Sequence, residues 1–178
     1  MASQNVGEEL VGAYLQAIKD CEFVAYNVHT RTTQGEIDVV AINMKTKTAY
    51  FCEVAIPLET GLKYGSGGNV RRLVGKFKKD IAYAKKYFRG YKRVFMLWSP
   101  IVRDTRPGAK YNQLHDVMEI HRQLRRERID LQVVVNEEFQ TAVSQLKAVA
   151  LKETKELKSP VMRLFQIETK LNDRLTSA

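Results

Sequence analysis

Cysteine is scarce in this chain: among its 178 residues only Cys21 and Cys52 are cysteines. Two cysteines do not support a disulfide framework or a cysteine-based zinc site. Cys52 lies within an apolar stretch, which predicts a small buried hydrophobic residue. The three histidines, His29, His115 and His121, lack the spacing of metal ligands. The sequence therefore offers no metal site built from sulfur or imidazole.

Long apolar runs are also missing. No stretch approaches the roughly 20 apolar residues that a membrane-spanning helix needs, and the first residues lack the apolar centre of a signal peptide. These two features predict a soluble, cytoplasmic protein with no membrane partner. Hydrophobic residues make up 44% of the chain, which is ordinary for a globular domain with a core of useful size.

Acidic residues are outnumbered, since 20 Asp and Glu stand against 29 Lys and Arg, for a formal net charge of +9. This excess favours an anionic partner, and nucleic acid is the first candidate. The alternative, a basic protein with no such partner, stays open on charge alone.

The hydrophobic pattern predicts an alternation of helices and strands. The expected elements are a helix over 6–19, strands over 22–29, 35–43 and 48–56, a helix over 70–88, a strand over 92–98, a helix over 111–128, a strand over 131–135, and two helical pieces within 137–178. A sheet with helices on both faces is the natural packing for this order. In the last piece, Val161, Leu164, Leu171 and Leu175 form an apolar face that would cover the core or a partner chain, so a homodimer stays open.

Two carboxylates stand out because they interrupt the apolar strands of the predicted hairpin. Asp38 lies in its first strand and Glu53 in its second. Such carboxylates are costly unless they are paired or bind a cation, and a divalent metal between them would remove their repulsion. Oxygen ligands favour Mg²⁺ or Mn²⁺. Solvated strand ends are the alternative. On the first helix, Glu8 should look towards the interior and Glu9 should be solvated.

Several short motifs together resemble the PD-(D/E)XK nuclease superfamily, most closely small bacterial endonuclease-like proteins related to archaeal Holliday-junction resolvases. The resemblance covers residues 7–98. It is carried by Gly7-Glu8 with Ala13-Tyr14-Leu15, by Asn27 and Arg31 before Gly35-Glu36-Ile37-Asp38, and by Phe51-Cys52-Glu53-Val54. It implies a restriction-endonuclease-like αβββαβ core with a mixed central sheet flanked by helices in residues 1–136. Residues 137–178 would form a C-terminal helical extension.

The resemblance also implies a Mg²⁺- or Mn²⁺-dependent phosphodiesterase site. Its helix glutamate falls on Glu8, its metal aspartate on Asp38 and its strand acid on Glu53. Together with the Val54 carbonyl, these residues would hold the metal. The lysine that usually follows two residues after the strand acid is replaced by Ala55. Members of the family often carry this lysine on the next helix instead, and that place falls on Lys76, with Lys79 and Arg72 as alternatives.

The remaining implied role is contact with backbone phosphates, which positions a nucleic acid without specifying its sequence. The candidates for this role are Arg31, Arg71, Arg72, Lys78 and Lys79. Two functions result: a metal-dependent endonuclease that hydrolyses phosphodiester bonds in DNA, and a non-catalytic DNA-binding or assembly protein on a degenerate nuclease fold. Ala55 favours the second function, whereas Glu8, Asp38, Glu53 and Lys76 together favour the first.

Overall fold

A computed structural model describes residues 5–29, 35–64, 68–105 and 112–176. The order of helices and strands in these ranges confirms the predicted one, with ends that differ by about two residues at most. The elements are α1 (Val6–Ala17), β1 (Phe23–His29), β2 (Glu36–Asn43), β3 (Thr48–Val54), α2 (Asn69–Tyr87), β4 (Lys92–Ser99), α3 (Gln113–Arg126), β5 (Leu131–Val135), α4 (Asn136–Lys152) and α5 (Pro160–Thr176).

The five strands form one mixed sheet in the order β1-β2-β3-β4-β5. Strands β1, β2 and β3 pair in antiparallel fashion, as a hairpin-connected series should. Strand β4 is parallel to β3, and β5 is parallel to β4. Each parallel pair is joined through a helix, because parallel neighbours need a long crossover. The predicted α/β class is confirmed.

Helices cover both faces of this sheet, as predicted. Helices α2 and α3 pack on one face, where Phe77 and Ile120 join a core that includes Phe51 of β3. Helices α1 and α4 pack on the opposite face, where the core includes Trp98 and Cys52. Cys52 is fully buried, which confirms its predicted place in the interior. Alternate residues of β3 thus supply two separate cores, and Glu53 belongs to the α2 side.

The C-terminal helices pack on the same sheet face as α1. The ring of Phe139 on α4 lies 6.0 Å from that of Trp98, edge to face. Helix α5 contributes Met162 to a small core shared with Ala13 of α1 and Leu146 of α4. The segment from residue 137 onwards therefore packs directly on the sheet and on α1.

One expectation about this region is wrong. Glu9 is half-buried rather than solvated, because its carboxylate accepts hydrogen bonds from the Ser159 hydroxyl and the Val161 backbone N–H at the start of α5. The apolar face expected on the last helix, which would cover the core or a partner chain, lies only partly against the core. Val161 is buried, but Leu164 and Leu171 are exposed, and so is Leu175, because α5 packs through a neighbouring stripe.

Within the described ranges, no helix is both long enough and apolar enough to cross a membrane.

Candidate active site

The pairing of β2 with β3 stops where the two predicted carboxylates lie. The recorded pairs of β2 with β3 reach Val39 and Cys52, one step before Asp38 and Glu53. There the Asp38 Oδ2 atom accepts a hydrogen bond from the Val54 backbone N–H at 2.7 Å. The Asp38 side chain thus accepts the hydrogen bond that a backbone carbonyl of β2 would accept in a regular sheet. This exchange leaves the Asp38 carboxylate at the end of the paired region, beside Glu53.

The strand on the other side of Asp38 is also irregular at this point. Asn27 of β1 has a left-handed backbone, with φ of 50°, which Asn tolerates better than most residues. Side-chain alternation shifts there, since Tyr26 packs on the α1 side and Val28 on the α2 side. The Asn27 amide donates a hydrogen bond to Glu8 Oε2 at 3.1 Å. The irregular residue therefore links β1 to the first helix.

Lys76 reaches the two carboxylates from α2. Its ammonium forms an ion pair with Glu53 Oε2 and lies 3.4 Å from Asp38 Oδ1. Burial alone would lower the pKa of Lys76, but the charges of Glu53 and Asp38 raise that pKa above its ordinary value. Lys76 is therefore a permanent cation in this cluster, and 32% of its side chain remains accessible to solvent.

Glu53 is fully buried. Burial raises its pKa well above the ordinary value, and the nearby charges of Asp38 and Asp80 raise it further, while Lys76 opposes the shift. Glu53 Oε1 is without a hydrogen-bond donor among the residues that the structure describes. A buried carboxylate with one bare oxygen is costly for the folded state, which is a common property of functional acids.

Asp80 is a member of this cluster that the sequence pattern did not single out. It is 2% exposed, and its Oδ2 atom, like Glu53 Oε1, has no donor in the described part of the chain. Burial raises the pKa of Asp80 to about 7, against the opposing effects of Glu53 and Lys76. A signal was available: Asp80 follows Phe77 by three residues, so it lies in the apolar stripe of α2.

Glu8 approaches the same end of the sheet from the opposite face. Neighbouring Gly7 lies against Ile56, just beyond β3, so closely that a Cβ atom at Gly7 would collide with the Ile56 side chain. Burial raises the pKa of Glu8, the bond from Asn27 lowers it, and the charge of Asp38 adds to the rise. Glu8 thus interacts with Asp38 through its charge, and its direct side-chain partner is Asn27.

Tyr64 is a second residue that sequence reasoning missed. It lies in the loop between β3 and α2, where its backbone N–H donates to Asn69 Oδ1 at 2.8 Å. Burial raises the pKa of Tyr64 to about 12, and its hydroxyl interacts electrostatically with Lys76 and Glu53. It is therefore a neutral donor next to the charged cluster. Nothing in the loop sequence marks it, because loops carry no periodic pattern.

The basic residues of α2 lie on two different flanks. Arg71 and Lys78 line an open groove between α2 and α3, a cavity of ≈ 510 Å³. Lys78 forms an ion pair of 2.9 Å with Glu127, beyond the end of α3. Arg72 and Lys79 follow the helical spacing of Lys76 and so lie on the flank next to the carboxylates. The fifth predicted phosphate contact, Arg31, lies outside the described residues.

Comparison with protein-family models, with curated proteins and with solved structures finds no match to this chain. In the described ranges, no group of three or more His, Cys, Asp or Glu side chains has the arrangement of a metal site. The nuclease resemblance therefore depends on the motifs themselves.

Proposed function

We propose that this protein is a metal-dependent endonuclease that hydrolyses phosphodiester bonds in DNA. The observation that carries the proposal is the meeting of Asp38, Glu53 and Lys76 in one ion-paired cluster. They come from β2, β3 and α2, and fold stability does not require two acids and a lysine at a sheet end. An acid pair with an adjacent lysine is the combination that the PD-(D/E)XK resemblance implies.

The residues present fit a divalent cation by their chemistry. Asp38 and Glu53 offer carboxylate oxygens, the Val54 carbonyl is adjacent, and Glu8 adds negative charge from the other face. Glu53 Oε1 is buried and without a donor among the described residues. Oxygen donors of this kind favour Mg²⁺ or Mn²⁺. When bound, such an ion would stabilise charge on a phosphate and lower the pKa of water.

The protein's own residues have separable roles in this proposal. The Asp38 carboxylate is held in place by the Val54 N–H. Glu53 is shielded from solvent, and its ion pair with Lys76 favours its charged form against the effect of burial. Lys76, which is partly exposed, would donate from its ammonium to phosphate oxygens as charge builds on them. Because an ammonium on a flexible stem can reach one point from different origins, Lys76 would replace the lysine that is absent at Ala55.

The basic flanks of α2 support DNA as the substrate. Arg71 and Lys78 border the groove between α2 and α3, while Arg72 and Lys79 lie beside the cluster. With a net charge of +9 on the chain, these side chains would contact backbone phosphates and hold a strand near Asp38 and Glu53.

A non-catalytic DNA-binding or assembly protein is the alternative, and one feature favours it. Lys76 already compensates both Asp38 and Glu53, so the cluster could persist as a structural ion pair on a degenerate nuclease fold. Ala55, which replaces the usual lysine, also favours the non-catalytic alternative.

A plasmid-nicking assay separates the two functions. The parent protein should nick supercoiled DNA with Mg²⁺ or Mn²⁺ and not with EDTA. Asp38→Asn and Glu53→Gln should abolish nicking, whereas Lys147→Ala, far along the chain on α4, should not. DNA binding without nicking under any of these conditions would establish the alternative. Nicking that persists in both acid variants would point to a contaminating enzyme and contradict the proposed site.

A homodimer is a separate proposal about partners. Leu164, Ile167, Leu171 and Leu175 recur at spacings of three and four along α5 and are all exposed. Such a stripe is typical of helix pairing. Analytical ultracentrifugation should give a dimer for the parent protein and a monomer for Leu171→Glu. A monomeric parent protein would contradict this proposal.

A further inference from the structure

Burial of the Asp80 carboxylate lowers the free energy of unfolding. Asp80 is 2% exposed and lies in the stripe of α2 that carries the core residues Phe77 and Ile81. Its Oδ2 atom has no hydrogen-bond donor among the described residues. A carboxylate in such surroundings destabilises the fold unless a proton or a cation compensates it.

The partner of Asp80 is Glu53. The two carboxyl groups are close enough to form a side-chain hydrogen bond when one of them carries a proton. The bare oxygens, Asp80 Oδ2 and Glu53 Oε1, are both fully shielded from solvent. Glu53 Oε2, by contrast, is already compensated by the Lys76 ammonium. In the pair of Glu53 and Asp80, the Lys76 ammonium therefore lies beside Glu53 Oε2. Glu53 Oε1 and Asp80 Oδ2 have no donor among the described residues.

Charge counting gives the same result. Glu8, Asp38, Glu53 and Asp80 all interact electrostatically within this region, where Lys76 pairs with Asp38 and Glu53 and the charge of Lys79 acts on Asp80. Two ammonium groups cannot neutralise four carboxylates. A site with this excess of negative oxygen donors, two of them buried and bare, has the chemistry of a cation-binding site.

We propose that Asp80 is a further cation-binding residue, which with Glu53 binds a divalent ion on the side of Glu53 that Lys76 does not compensate. This inference depends on the proposed metal-dependent function but adds a residue to it. The motifs place metal ligands at Asp38, Glu53, Val54 and Glu8, and none of them assigns a role to an acid four residues after Lys76.

The test is the affinity of the full-length chain for Mn²⁺, measured by electron paramagnetic resonance as loss of the free-ion signal. Asp80→Asn keeps the shape of the side chain and removes its charge. Its Mn²⁺ affinity should fall by at least about tenfold. Asp130→Asn, the same change at an exposed acid before β5, should bind Mn²⁺ as the parent protein does. Asp80→Ala is a second variant, with the same expected loss.

The second measurement is the melting temperature of the metal-free protein. Asp80→Asn should raise this temperature if Asp80 binds a cation, whereas it should lower it if Asp80 stabilises the fold. The amide that Asp80→Asn introduces can donate to the Glu53 carboxylate, so this variant, free of metal, should melt higher than the parent protein. A lower melting temperature would overturn the inference, since it would show that Asp80 stabilises the fold. Parent-like Mn²⁺ affinity in Asp80→Asn would overturn it as well.

The outcomes also separate this inference from the proposed function. If the parent protein binds no Mn²⁺, the metal-dependent function and the role of Asp80 both fail. If the parent protein binds Mn²⁺ and Asp38→Asn abolishes that binding while Asp80→Asn does not, only the role of Asp80 fails. Loss of affinity in both variants, together with a higher melting temperature for metal-free Asp80→Asn, is the expected result.

Discussion

The Asp38 carboxylate accepts a hydrogen bond from the Val54 backbone N–H at 2.7 Å, so a side chain joins β2 to β3 at the point where their backbone pairing ends. This bond gives Asp38 two tasks that substitution can separate. One is the connection between strands, which needs an acceptor oxygen. The other is the negative charge, which pairs with Lys76 and would bind a cation.

We therefore predict different outcomes for two changes at Asp38. Asp38→Asn keeps an oxygen that can accept from Val54, so its melting temperature should stay near that of the parent protein while nicking is lost. Asp38→Ala leaves the Val54 N–H without its partner, which should cost about 1–3 kcal/mol of unfolding free energy. Urea denaturation measures the difference. Equal stability of the two variants would show that the hydrogen bond contributes little.

Lys76 provides a second prediction. Lys76→Ala should reduce nicking by about 10²–10³, with most DNA affinity retained, because Arg71 and the other phosphate contacts remain. Ala55→Lys in that background should restore part of the activity, since residue 55 lies on the same face of the strand as Glu53. Single-turnover rates with Mg²⁺ measure both effects.

A control variant must separate the effect of Lys76→Ala on nicking from its effect on stability. Removing the ammonium leaves Glu53 buried with no compensating charge from α2, so the melting temperature should fall above neutral pH. Lys78→Ala, on the other flank of the same helix, should change neither nicking chemistry nor that melting temperature. Parent-like nicking by Lys76→Ala would exclude the migrated lysine.

Much of this arrangement could be predicted from the sequence, for specific physical reasons. Strand alternation placed Glu53 on the face opposite Cys52, and the apolar stripe of α2 placed Lys76 at its edge. Both patterns depend on local geometry alone. Asp80 and Tyr64 were missed because their proximity to Glu53 comes from the packing of α2 and a loop against the sheet. Glu9 was misjudged for the same reason, since helix α5 returns from far along the chain to contact it.

The groove between α2 and α3 leads to a third prediction. If Arg71 and Lys78 contact phosphates, log affinity for duplex DNA should fall with log salt by about 0.9 per phosphate contacted. Arg71→Ala and Lys78→Ala should each make this slope shallower, to the same extent on unrelated sequences. Fluorescence anisotropy at several salt concentrations measures the slope.

The ion pair of Lys78 with Glu127 makes this prediction sharper. Glu127→Gln removes the competitor for the Lys78 ammonium, so it should raise DNA affinity at low salt. The matched control is Glu168→Gln, which releases Lys147 from an equivalent pair of 2.7 Å between α4 and α5. Both changes add the same net charge, and only the first lies at the groove. Equal effects of the two would mean that binding responds to net charge rather than to the groove.

The last prediction concerns the pH dependence of stability without metal. The pKa of Asp80 is raised to about 7 in the folded protein from an ordinary 3.8, so folding favours its protonated form. The cost of Asp80 is therefore absent below about pH 4 and develops fully as pH rises through 7. At about 1.4 kcal/mol per pKa unit, the cost is on the order of 4 kcal/mol.

Asp80→Asn removes this cost. In EDTA, the stability of the variant and of the parent protein should coincide near pH 4, and the variant should become the more stable one as pH rises through 7. Glu53, Asp38, Lys76 and Lys79 act on Asp80 electrostatically and remain in both proteins. Asp130→Asn is the control and should follow the parent curve. Chemical denaturation across this pH range measures the gap, and curves that run parallel for Asp80→Asn and the parent protein would show that Asp80 is not held protonated by the fold.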